Sequence, residues 1–207
     1  MVNTILVILI TLVTIYPLYF CVIASFSDPQ QVALGNTMFW IKDFTLEPYQ
    51  YVLRESRIWI GYRNSILYMF FGTLYNLVLT IPAAYVLTKS YLPFRNVLSW
   101  YFFITMYFSG GMIPTYLLMK DLNLIDNPLA LILGAGVSCY NLIVTRQYFA
   151  SSIPNDIYEA AYMDGASEWK CFVKIAIPLA KPIIAVMALY YGMAHWNSYY
   201  NALLYIR

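Results

Sequence analysis

The charges of this chain are spaced so that long stretches carry none. No Asp, Glu, Lys or Arg occurs in 1–27, 64–88, 96–119, 127–145 or 182–206. A helix needs about 20 residues, rising about 1.5 Å each, to cross a hydrocarbon core of about 30 Å. Four of the intervals exceed that length, and 127–145 reaches it once 147–150 and a snorkelling Arg146 are added. Five membrane spans are therefore expected in an all-α polytopic helical bundle. Composition agrees: hydrophobic residues make up 61% and charged residues 11% of the 207 residues, against about 25% charged in a soluble domain. Too few charges remain to clothe a water-facing surface. The 21 Tyr and 5 Trp supply the amphipathic rings that favour the membrane–water interface.

The same reading excludes several function classes. A net charge of +2 without a basic, aromatic-lined patch gives no platform for nucleic acid. Cys21, Cys139 and Cys171 lack metal-ligand spacing and read as small apolar residues, so no metal site is expected. One histidine with scattered acids supplies no catalytic constellation, and no Gly-x-x-x-x-Gly-Lys-[Ser/Thr] loop is present to bind nucleotide. The first interval is too long for a signal-peptide core and has no basic segment before it, so it reads as a span.

Between spans, residues 25–62 form a long loop that is polar and turn-rich at first. From 47 to 60 it becomes amphipathic, as expected of a helix lying at the interface. Loops 89–95 and 120–126 are short. Lys and Arg are divided almost evenly between alternate loops, which leaves orientation undecided by charge. The chain enters its first span near residue 1 and stops just after the fifth, with no polar tail at either end, as a truncated chain would.

The loop over 146–181 is the most informative. Asn155 is placed to cap a helix whose first turn carries Asp156 and Glu159, acids that suit the positive end of the helix dipole. Ile157, Ala160, Ala161 and Asp164 follow helical spacing and predict a small-residue face. Gly165 is suited to the left-handed residue that ends such a helix. Ser167 then caps a second helix from Glu168, which is expected to stop before Pro178, and Pro182 opens the last span. On physical grounds alone this segment fits either an amphipathic linker or a helix shaped for another protein's groove.

Glu159-Ala160-Ala161, Gly165 four residues later, and Ile175-x-Ile177-Pro178 after nine more resemble the EAA signature of binding-protein-dependent ABC importer permeases. Asp164-Gly165-Ala166, Phe172, Pro182, Phe44-Thr45-Leu46-Glu47, Met112-Ile113-Pro114 and Trp196-Asn197 are similar to its carbohydrate-uptake branch. Phe26-Ser27-Asp28-Pro29 and Ser109-Gly110-Gly111-Met112 resemble the polysaccharide and oligosaccharide subgroup within it. The resemblance implies a type I ABC importer fold in the bacterial cytoplasmic membrane, with residues 1–207 as a single transmembrane domain and the EAA loop in the cytoplasm. Five spans would stand where the family usually has six, leaving a non-transporting fragment as an alternative.

The resemblance also implies a cytoplasmic ABC ATPase dimer, a second homologous permease, an extracellular solute-binding protein and a carbohydrate substrate. ATP would be held by the ATPase, so this chain would need no cofactor and would not be an enzyme. Glu159, Ala160, Ala161, Asp164 and Gly165 would dock that ATPase. Ser109, Asn141, His195, Trp196 and Asn197 are candidates for the solute path, each with a simpler role as helix glue or interfacial anchor. A secondary transporter or channel is the rival class. It would place ionisable residues inside spans, where only His195 is found.

Overall fold

The computed structural model describes residues 2–134 and 136–206, and every regular element among them is helical. The chain divides into two compact units, 1–62 and 63–207. By length and composition two helices can cross a membrane unaided, α1 (Val2–Ser25) and α4 (Ser56–Val86), with the boundary between the units falling inside α4. Two further pairs qualify only if each bent pair is counted as one span.

In the first unit, α1 is followed by α2 (Pro29–Ala33) and α3 (Glu47–Arg54). Ser27 organises the turn after α1: its Oγ donates to the Ile23 carbonyl at 2.7 Å and accepts from Lys42 N at 3.2 Å. Asp28 N donates to the Lys42 carbonyl, Thr45 N to that of Phe26, and the Phe26 and Phe44 rings stack at 5.9 Å. The amphipathic segment expected over 47–60 is two helices. Glu55 is extended, with its carboxylate accepting from Arg57 N at 3.3 Å, so α4 begins earlier than the charge-free interval suggested.

In the second unit, α5 (Arg95–Tyr107) and α6 (Met112–Asp121) meet at 114°. Phe108 is extended there and Gly111 takes φ +83°, a left-handed value glycine adopts without strain. The expected fourth span is broken. Pro128 precedes a short α7 (Leu129–Leu133), and α8 (Cys139–Ser152) starts afresh where Ser138 Oγ accepts from Asn141 N. Fourteen residues of α8 rise only about 21 Å, short of a hydrocarbon core.

The remaining helices are α9 (Asn155–Met163), α10 (Glu168–Cys171), a π-helical stretch (Phe172–Ala176), α11 (Ile177–Leu179), α12 (Lys181–Trp196) and α13 (Tyr199–Tyr205). The helix from Glu168 does not stop before Pro178. It widens into π turns and runs to Leu179, then bends by 77° at Ala180 into α12, which has Pro182 in its first turn. Proline lacks one donor, and a stretch already off the α register tolerates that loss more readily. The main core packs Ala84, Tyr85, Leu142, Phe149, Cys171, Phe172 and Met187, tying the end of α4 to α8, α10 and α12. Arg95 and Arg146 donate to the Thr88 and Leu87 carbonyls, supplying cations to the negative end of α4.

Candidate functional site

Two sites emerge in the second unit, a loop site and a cavity. At the loop, α9 begins at Asn155, so Pro154 and not Asn155 occupies the capping position. Its other end forms a Schellman turn: Ala166 N donates to the Ala161 carbonyl at 2.9 Å and Gly165 N to that of Tyr162 at 3.0 Å. Gly165 sits at φ +73° as its position in the sequence demanded, and Ser167 Oγ accepts from Lys170 N to cap α10.

The turn settles which side chains face outward. Glu159, Ala160, Asp164 and Gly165 are exposed, while Ala161 packs partly against the core beside buried Tyr158. Met163 and Trp169 add large apolar groups at 89% and 71% exposure, which the motif did not flag. Exposed apolar groups flanking a carboxylate suit a protein surface better than water.

On the inward side of the same loop lies a cage around Lys89, only 9% exposed. Its Nζ donates to Tyr162 Oη at 3.1 Å, lies 3.8 Å from Glu168 Oε2, and sits 4.0 and 4.3 Å from the ring centroids of Tyr158 and Tyr85. Tyr162 Oη donates to Glu168 Oε1 at 2.7 Å and Tyr85 Oη to Oε2 at 3.3 Å. A desolvated cation on an aromatic face is worth about 2 kcal/mol. Burial pulls the Lys89 ammonium below its ordinary pKa, against the opposing pull of Glu168. Burial raises the Glu168 carboxyl, but hydrogen bonds from Tyr162 and Tyr91 and the Lys89 charge outweigh it, and the group is held below its usual value. Tyr158 is pushed up to about 12, mainly by burial.

The second site is a cavity of about 490 Å³ reached by Asn76, Ser138, Asn141, Tyr191, His195 and Asn201. Asn76 Nδ2 donates to the Gly136 carbonyl at 2.7 Å, so its Oδ1 faces His195 Nε2 at 2.6 Å, and that nitrogen carries the proton. Gly72 lies one turn before Asn76, where a Cβ would overlap the His195 ring. Thr80, one turn after it, shares a 2.7 Å hydroxyl bond with Tyr191, whose Oη also accepts from Ser138 N. Amide, hydroxyl and aromatic groups share the lining with Met119, Ala130, Leu131 and Val137.

The candidates for the solute path are thereby divided. Asn141 and His195 line this cavity together. Trp196 and Asn197 line a separate, largely apolar groove against α4, and Asn197 Nδ2 donates to the Met193 carbonyl as a helix cap. Ser109 is exposed in the linker between α5 and α6. Asn76, Thr80 and Tyr191 also line the cavity or brace its wall and are not among the residues the sequence points to. The Gly72, Asn76, Thr80 stripe at four-residue spacing in an apolar helix was the available signal.

The sequence pattern of the family "binding-protein-dependent transport system inner membrane component" matches residues 58–206. Protein LplC of Bacillus subtilis (strain 168) is 39% identical over 194 residues, covering 94% of this chain and 65% of the relative. The polygalacturonan/rhamnogalacturonan transport system permease protein YtcP of the same strain is 34% identical over 195 residues, 94% of this chain and 68% of the relative. The chain therefore spans about two thirds of these relatives' length. A crystal structure of a bacterial ABC transporter involved in the import of the acidic polysaccharide alginate contains a chain that superposes with a TM-score of 0.93. The identity is 35%, covering 100% of this chain and 73% of that one.

Proposed function

The chain belongs to the family of inner membrane components of binding-protein-dependent transport systems, and from that premise we propose that it is a permease subunit of an ATP-driven importer of oligosaccharides. The observation that carries the reading is the loop: a helix ended by a Schellman turn, exposing Glu159, Ala160 and Asp164 beside Met163 and Trp169. On this reading the loop lies in the cytoplasm of a multi-pass protein and seats in a groove of an ABC ATPase dimer. That ATPase binds the nucleotide. A second homologous permease completes the pore, and an extracellular solute-binding protein delivers the sugar. Asn76, Asn141, Tyr191 and His195 offer the solute hydrogen bonds and a ring face as it passes. Carbohydrate permease names among the relatives support the substrate class.

The test is co-purification of the tagged chain with its cognate ATPase in mild detergent. The wild type retains the ATPase. Gly165→Pro, which can neither adopt φ +73° nor donate to Tyr162, loses it while remaining in the membrane fraction. A wild-type chain that retains no ATPase would overturn the reading.

A further inference from the structure

We propose that Lys89 is a positioning residue that fastens the docking loop to the end of α4, so that displacement of the loop by the ATPase is delivered to the cavity at Asn76 and His195 through that helix. The proposal rests on the ATPase-docking reading of the loop.

The geometry has three joined parts. Lys89 lies just beyond α4 and is gripped from both loop helices, by Tyr158 and Tyr162 of α9 and by Glu168 at the start of α10. Glu168 is also held by Tyr85, on the last turn of α4 itself, so helix and loop share one carboxylate. Ten residues before its end, about 15 Å away along the axis, α4 presents Asn76, bonded to His195 of α12. A push on α9 therefore meets α4 through a buried cation, which resists separation from the rings and carboxylate that replace its water. A greasy contact of the same area would let the surfaces slide, because dispersion has no direction. The cage gives the contact a fixed register.

The experiment uses the whole complex, with partner permease and ATPase, in nanodiscs. Asn201→Cys in a background lacking the native cysteines reports on the cavity through its reactivity with a water-soluble fluorescent maleimide. In the wild type, trapping the ATPase with ATP and vanadate changes that reactivity several-fold. Lys89→Met keeps the stem but not the charge; it retains the ATPase and hydrolyses ATP, yet the reactivity no longer responds. Lys89→Arg restores most of the response.

A methionine variant that responds like the wild type overturns the proposal. So does an arginine variant that fails as the methionine does, since shape and not charge would then matter, and so does a wild-type reporter indifferent to trapping. If Lys89→Met does not assemble, Tyr162→Phe keeps the ring and removes the bridging hydroxyl. A reduced response upholds the proposal and an unchanged one overturns it. Failure of the wild type to hold its ATPase counts against the docking reading itself, a separate outcome.

Discussion

Glu168 holds four hydroxyl or ammonium partners, Tyr85, Tyr91, Tyr162 and Lys89, while its side chain remains 46% exposed. Its carboxyl is held below the ordinary 4.5, so the stabilisation it gives the loop is complete above that value and is lost as pH falls through the lower, folded one. Limited proteolysis of the loop should accordingly be constant from neutral pH down to the ordinary carboxylate range and rise beyond it. In Glu168→Gln the loop should be cut faster at neutral pH and with little further change on acidification; a wild-type profile in that variant would remove Glu168 from the cage. Residues acting on nearby backbone were legible in the sequence: Gly165 takes a left-handed position, and Ser167 caps α10. Residues acting through a distant partner were not. Asn76 and His195 are 119 positions apart, and no local pattern pairs them.

Apart from the early start of α4, helix ends fall near the limits of the charge-free intervals, but the interiors of several intervals are broken. An interval reports what the surroundings can be; it cannot tell one helix from two. Gly111 at φ +83°, Ser138 between α7 and α8 and Asn197 between α12 and α13 each interrupt an apolar run without adding a charge. The turn after α9 shows how such an interruption can be weighed. Nothing lies within 4 Å of a Cβ built on Gly165, so a substitution there meets no clash and costs only the conformation. Gly165→Ala should therefore destabilise the turn by about 1 kcal/mol, seen as faster loop proteolysis with ATPase retention weakened but not abolished. Complete loss of retention with alanine would mean that the glycine surface itself touches the partner.

At the scale of the molecule, the fold class was legible because 61% hydrophobic composition leaves few solvents to choose from, and the superposition with a solved importer chain at a TM-score of 0.93 agrees. Orientation was not legible, since the basic residues are balanced between alternate loops. It can be measured directly. With the native cysteines replaced, Met163→Cys should react with a membrane-impermeant maleimide in inverted vesicles and not in right-side-out cells. Labelling from the outer side would reverse the proposed orientation.

From Ile5 to Val13, α1 turns apolar side chains outward on every face, and farther along that helix Ile23 is buried. Side chains that face lipid are constrained by oiliness and length, not by shape, because one aliphatic group suits lipid as well as another. Such a helix is free to drift: its letters can be exchanged over generations while the segment after it keeps its pattern. The family pattern accordingly begins at 58, beyond α1. Relatives aligned along the first twenty residues should agree in hydropathy and disagree in identity, and an unrelated apolar helix spliced into that stretch should go unnoticed by the cell.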